Sequence, residues 1–224
     1  SMDKERKIDR ELCNLCMKCV EACRYGALEK VGREVTVEEI IREVERDRPF
    51  YEHSGGGVTL SGGEPLYQPK FTLEVFKSCK QRGIHTTLDT CGYANPDVVK
   101  QILEYTDLVL LDIKHMDPIK HKEYTGVSND LILSNARVMA ERCSVRISLP
   151  LIPGLNDSEE NLRRTAEFAR SIGVEYIDIE PLHKFGEHKY RFLGMEPPFS
   201  RFQEPSNEEV VRVIELMESY GLGT

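Results

Sequence analysis

The chain has 224 residues, 40% of them hydrophobic, and a formal net charge of −8 from 30 Lys and Arg against 38 Asp and Glu. That length suits one domain with a sizeable core and a small appendage. The acidic balance argues against a general nucleic-acid binder, which carries a basic footprint. No apolar run approaches a membrane span.

The opening Ser1-Met2 reads as a cloning remnant, and no basic, apolar leader follows it to argue for export. Residues 1–33 form a short, charged segment in which Cys13, Cys16, Cys19 and Cys23 follow the spacing C-x2-C-x2-C-x3-C. That is the bacterial ferredoxin pattern, whose thiolates wrap a [4Fe–4S] cluster. Soft sulfur ligands suit iron–sulfur or zinc rather than hard cations. Zinc is the alternative, although zinc sites usually pair two C-x2-C knuckles across a longer loop. Arg24 stands where a proline often follows the last cysteine. In two-cluster ferredoxins, moreover, the fourth cysteine ligates the other cluster, so Cys23 either closes a single cluster or is left over.

After Gly32 the pattern changes, and residues 34–224 read as the main domain. Thr36 followed by Glu39 predicts a capping box at the head of an amphipathic helix, TVEEIIREVERD. Strand-like and helix-like stretches then alternate. Strands are predicted at 57–61, 84–90, 107–114, 144–151 and 174–182. Helices are predicted at 69–82, 95–104, in segments up to Arg142, at 158–171 and after Ser206, where Glu209 again fits a capping box. Strands rich in Val, Ile and Leu that each feed a helix predict parallel βα units, in an open sheet or a barrel.

In such folds the chemistry gathers at the carboxyl ends of the strands. Here those ends carry Ser61-Gly62-Gly63-Glu64-Pro65, Asp89-Thr90-Cys91-Gly92, Asp112-Ile113-Lys114 and Pro181-Leu182-His183, with Arg146 inside its strand. Glycines at 62 and 63 let a backbone approach a ligand where a Cβ would clash, and Glu64 can accept hydrogen bonds from an ammonium group. A plainer reading is open too: Lys114 and Arg146 pair with Asp89 or Asp112 to satisfy buried carboxylates, and His183 is a hydrogen-bonded wall residue. Cys79 and Cys143 read as packing residues, Cys91 as a candidate pocket-lining residue, and His121 and His188 as surface or supporting groups. Five polar strand ends together point to a ligand site.

GGGVTLSGGEPLYQP, GIHTTLDTCGY, DLVLLDIKHMD, HKEYTGVSN, LPLIPGLND and PLHKFGEHKY occur in this order. Together they resemble the radical S-adenosylmethionine (SAM) activating enzymes of glycyl radical enzymes, the family of pyruvate formate-lyase activating enzyme. The resemblance covers essentially the whole chain. It implies a partial (β/α)6 TIM-like barrel of α/β class, preceded by a ferredoxin-like cysteine segment. It implies that Gly62, Gly63 and Glu64 hold the SAM amino group and that Lys114 and Arg146 meet its carboxylate, with Asp112, Ile113 and His183 also in contact. Asp89, Thr90 and Asp112 resemble a monovalent-cation site beside SAM. The family's activity is hydrogen abstraction from a backbone glycine of a partner enzyme by a 5′-deoxyadenosyl radical.

That chemistry uses a second cluster, held by a C-x3-C-x2-C triad. Cys19 and Cys23 have its first spacing, but no cysteine follows three positions after Cys23. The Cys13–Cys23 run is thus expected to hold an auxiliary cluster, and the family's first barrel strand, its triad and a first auxiliary run to be missing. The resemblance implies a glycyl radical enzyme as partner, a reductant such as flavodoxin or ferredoxin, a cytoplasmic location, and neither nucleic acid nor membrane. This chain by itself is expected to bind SAM weakly, to generate no radical, and to dimerise or aggregate through an uncovered strand edge. A ferredoxin-like electron-transfer or partner-docking module is the alternative function.

Overall fold

The structure is a computed structural model that describes residues 8–224. They fall into two compact units, residues 8–36 with 184–201, and residues 37–183 with 202–224.

The smaller unit contains α1 (Lys18–Ala22). The larger unit opens with α2 (Val37–Arg46) and α3 (Arg48–Ser54). Pro49 in the first turn starts α3, where its missing N–H costs nothing, and Gly55 in a left-handed conformation ends it. Five βα steps follow. β1 (Gly57–Leu60) leads through a 3₁₀ turn at Pro65–Tyr67 into α4 (Pro69–Lys80), and β2 (His85–Thr90) leads into α5 (Pro96–Leu103). β3 (Leu108–Asp112) precedes α6 (Pro118–Thr125) and α7 (Asp130–Ala140), and β4 (Ser144–Leu151) precedes α8 (Glu159–Ser171). β5 (Tyr176–Pro181) and α10 (Asn207–Ser219) belong to the larger unit, and α9 (Glu187–Phe192) between them in sequence belongs to the smaller one. Ser206 and Glu209 form the predicted capping box of α10.

The strands form one fully parallel sheet in sequence order, β1-β2-β3-β4-β5. The register sorts their side chains onto two faces, because successive residues of a strand point opposite ways. One face carries Leu88, Val109, Leu111, Ile147, Leu149 and Ile177, all at 0% exposure, packed in one cluster with Phe76, Val99, Ile102, Ala136 and Met139 of the helices. Parallel strands are expected to bury such a face beneath their crossover helices. The other face carries Asp89, Leu110, Asp112, Arg146, Ser148 and Asp178, all half-buried. A smaller cluster of Ile41, Val44, Val75, Cys79 and Ile84 seats α2 beside β1.

The predicted strands are all present, with shifted ends. β3 stops at Asp112 and not at residue 114, so Ile113 and Lys114 belong to the loop that follows. β5 starts at Tyr176 because Val174 and Glu175 complete the turn out of α8. The last residues also join the sheet. Gly223 accepts from the N–H of Ile177 at 2.9 Å and donates to the carbonyl of Glu175 at 2.8 Å. A Cβ at Gly223 would lie 2.7 Å from the Tyr176 ring, so the tail needs glycine there.

Candidate active site at the strand ends

The loop after β1 turns at Gly62, whose φ of +113° is glycine territory, and the space that a Cβ would fill at Gly62 and Gly63 is open. Glu64 follows as the N-cap of the 3₁₀ turn and accepts from the Leu66 N–H at 3.0 Å. Its carboxylate also accepts from the Thr90 hydroxyl at 2.6 Å and the Cys91 N–H at 2.9 Å. Three donors from two strand ends therefore fix this side chain and lock the end of β1 to that of β2. A carboxylate offers about four lone-pair sites, so Glu64 retains capacity for one further donor. Asp89, on the half-buried face of β2, accepts from the Ser61 hydroxyl at 2.6 Å. The Cys91 thiol is raised to about 11 by burial and by the nearby Glu64, which keeps it protonated and unreactive at neutral pH.

Past the end of β3, Lys114 forms an ion pair with Asp112, both side chains about one-third exposed. Ile113 between them is buried. Arg146 is placed differently. It stands third in β4, beside Leu110 in register, whereas Ser148 is the residue level with Asp112. Four strand positions separate its level from that of Lys114, about 13 Å at the rise of a strand. Its guanidinium grips Asp178 of β5 through two nitrogens, with Nε to Oδ2 at 2.8 Å, and lies over the Tyr176 ring at 4.9 Å. The Asp178 hydrogen bonds raise the Arg146 pKa further. His183, just after β5, is exposed.

The structure thus brings together Gly62, Gly63, Glu64, Asp89 and Thr90 at the ends of β1 and β2, and Asp112, Ile113 and Lys114 at the end of β3. It leaves Arg146 lower on the same sheet face with its own acid. Sequence reading missed Asp178 and Ser148. The alternation Arg146-Ile147-Ser148-Leu149 was a usable signal for their common face, but pairing Arg146 with Asp178 needs the β4–β5 register.

In the smaller unit, Cys16 and Cys19 are exposed and Cys13 and Cys23 half-buried, and none of the four is in a disulfide. Among the described residues, no three His, Cys, Asp or Glu side chains gather as a metal-binding group. The backbone is nevertheless unusual around Cys16, since Leu15 and Met17 adopt positive φ (58° and 60°), which is costly for residues with a Cβ. The Ala27 N–H donates to Cys23 Sγ at 3.2 Å.

A parallel α/β sheet with polar groups collected at its carboxyl edge defines a class of protein that binds ligands there. The family model of the radical SAM superfamily matches residues 14–168. The choline trimethylamine-lyase activating enzyme of Oleidesulfovibrio alaskensis is 44% identical over 200 residues, covering 87% of this chain and 64% of that protein's length. The trans-4-hydroxy-L-proline dehydratase activating enzyme of Clostridioides difficile is 39% identical, covering 99% of this chain and 84% of that one. A crystal structure of a domain of pyruvate-formate lyase-activating enzyme from Bacteroides vulgatus superposes with a TM-score of 0.63 at 36% identity, covering 75% of this chain and 96% of that domain. The chain belongs to the radical SAM superfamily and, within it, to the activating enzymes of glycyl radical enzymes. That superfamily uses SAM and a [4Fe–4S] cluster. The chain spans just under two-thirds of the length of the choline trimethylamine-lyase relative. No helix among the described residues is long and apolar enough to cross a membrane.

Proposed function

We propose that the chain is the SAM-holding part of an activating enzyme for a glycyl radical enzyme, with an auxiliary cluster segment at residues 1–33 and a partial (β/α)6 barrel at residues 34–224. The observation that carries this reading is the gathering of Glu64, above the open Gly62–Gly63 backbone, and of the Lys114–Asp112 pair on the carboxyl edge of one parallel sheet. The donor set fits the amino-acid end of SAM. Glu64 has room for one ammonium N–H, the glycine backbone leaves space for close approach, and Lys114 offers a cation to a carboxylate. Asp112, Ile113 and His183 complete the wall, with Asp89, Thr90 and Asp112 as a monovalent-cation site beside it. Arg146 enters only if a ligand displaces Asp178 from it.

Four thiols at ferredoxin spacing fit a [4Fe–4S] cluster by donor chemistry, and Cys13, Cys16, Cys19 and Cys23 would hold it. When bound, SAM and the superfamily's cluster supply the one-electron chemistry that removes hydrogen from a backbone glycine of the partner. This chain's own residues bind and orient the methionine end of SAM. They hold no C-x3-C-x2-C triad, so the 224 residues alone bind SAM without generating a radical. The partner is a glycyl radical enzyme, the reductant a flavodoxin or ferredoxin, and the setting an oxygen-poor cytoplasm without nucleic acid or membrane.

Two measurements test this. Calorimetric titration with SAM should show weak binding that Lys114→Ala lowers at least about tenfold, as expected for the loss of one charge-assisted contact. Binding that ignores Lys114 would overturn the site. Anaerobic reconstitution with iron and sulfide, followed by dithionite and SAM, should load about four irons per chain and release no 5′-deoxyadenosine. Catalytic release of 5′-deoxyadenosine would mean that the Cys13–Cys23 run does the chemistry itself.

A further inference from the structure

Lys114 lies two residues beyond the end of β3, in a loop, yet its backbone is held as firmly as a strand. The reason lies in β4. The β3–β4 ladder runs up to the Ile113 N–H donating to the Ser148 carbonyl at 3.0 Å. In a parallel ladder the next bond must come from the backbone N–H at position 150. Position 150 is proline, which has no N–H to give, so the ladder stops one residue short of Lys114. The join is continued by a side chain. Asn156, 3% exposed, donates through Nδ2 both to the Pro150 carbonyl and to the Lys114 carbonyl, the latter at 3.1 Å. Its Oδ1 accepts from the Ile152 N–H at 2.9 Å. One primary amide thereby bridges the ends of β3 and β4 where the backbone cannot.

Asn156 is itself fixed from both sides. Its carbonyl accepts from Asn161 Nδ2 on α8 at 2.8 Å, and Asn161 Oδ1 accepts from the Met116 N–H at 2.8 Å, two residues past Lys114. From α7, the cap residue Asn129 donates to the His115 carbonyl at 2.9 Å. Carbonyls 114 and 115 and amide 116 are therefore each taken by a buried asparagine. Buried polar groups of this kind are costly to leave unpaired and rigidify what they join when fully satisfied.

We propose that Asn156 is the positioning residue for Lys114: its amide ties the Lys114 carbonyl to β4 just beyond the ladder bond that Pro150 cannot make and so sets the height at which the Lys114 ammonium meets the carboxylate of its ligand. This rests on the SAM reading above for the identity of the ligand, though not for the structural claim. Asn156 touches no ligand in this account and acts only through the Lys114 backbone.

The test uses the 224-residue chain, with SAM as the probe, in four forms: wild type, Lys114→Ala, Asn156→Ala and the double variant. Asn156→Ala should weaken SAM binding about tenfold, in keeping with the loss of a buried hydrogen-bonded join. The double variant should bind no more weakly than Lys114→Ala alone, because Asn156 acts through a side chain already removed. Losses that multiply in the double variant would overturn the proposal. A second readout is independent of SAM. Amide hydrogen exchange over residues 112–117 should accelerate at least about tenfold in Asn156→Ala while residues 85–90 stay protected; unchanged exchange over 112–117 overturns the proposal whatever SAM does. Wild-type protein that does not bind SAM, or binding indifferent to Lys114→Ala, sinks the SAM reading instead, and exchange alone then decides the role of Asn156. If Asn156→Ala fails to fold, Asn161→Ala should produce a smaller shift in both readouts, and no shift in either would count against the proposal.

Discussion

The carboxyl edge of the sheet and the cysteine segment both carry groups suited to a cofactor, but only one of them is assembled by the chain's own interactions. At the sheet edge Glu64 already has three donors and Lys114 has Asp112, and Arg146, lower on the same face, has Asp178. The four thiols have little to draw them together. A thiol is a weak donor and a weak acceptor, and among the described residues these do not gather as a metal group. A polar pocket can be folded in advance by hydrogen bonds, whereas a soft-metal site usually takes its final geometry from the metal, whose binding energy is folding energy.

That contrast can be broken most decisively at Cys19. Replacing it with serine should drop iron after anaerobic reconstitution from about four per chain to under about one, while SAM titration and the thermal midpoint of the sheet stay as in wild type. If SAM binding disappears along with the iron, the two regions are not separable. The next largest effect is expected at Glu64. Glu64→Ala removes the acceptor of three bonds and leaves the buried Thr90 hydroxyl without it, which should cost about 2 kcal/mol in denaturant unfolding, with iron loading unchanged; a loss under about 0.5 kcal/mol would mean that the β1–β2 lock is dispensable.

A smaller and pH-dependent effect should come from His115, next to Lys114. Burial, and then the nearby Lys120, lower its pKa from 6.5, with His121 and Arg164 adding in the same direction and Asp117 opposing them. Its Nδ1 accepts from the Asp117 N–H at 2.9 Å, an arrangement that only the neutral ring allows. Because the folded state binds the proton less readily than the unfolded one, this contribution is intact above pH 6.5 and is eroded as the pH falls from there toward the lowered folded pKa. Thermal midpoints should decline on acidification from pH 7.5 to 5.5, and His115→Gln should flatten that decline; equal slopes in the two proteins would refute the assignment. The smallest change is expected at the cap of α10, where Ser206→Ala should lose about 1 kcal/mol by removing one half of the capping box, without touching SAM or iron.

Much of this was legible in the sequence, for identifiable reasons. Alternating Val-, Ile- and Leu-rich runs and helical stretches point to five parallel strands, because each such run needs a crossover helix to bury it. The capping box at Ser206 and the glycine turn after β1 are local devices, readable without tertiary context. The end of β3 was drawn two residues too long because the hydrophobic run of DLVLLDIK continues through Ile113, while the limit is set on another strand, by the proline of SVRISLPL. Arg146 is assigned to the SAM carboxylate by resemblance, and its height on the sheet depends on the β3–β4 register, which one strand's sequence does not carry. The helix at Arg48–Ser54 was passed over although Pro49 and Gly55 bracket it.

The tail that lies along β5 has a consequence for how copies of this chain meet. Gly223 occupies the outer rim of the sheet beside Glu175–Ile177, and Pro181 at the far end of β5 has no N–H to offer a newcomer. Among the described residues, β1 pairs on one side only. A ribbon able to join at both margins can extend without limit, head to tail, as fibres do; one able to join at a single margin meets one other and stops. Self-association through the β1 margin would therefore pair two copies edge to edge, and its signature is a dimer whose size is indifferent to further concentration.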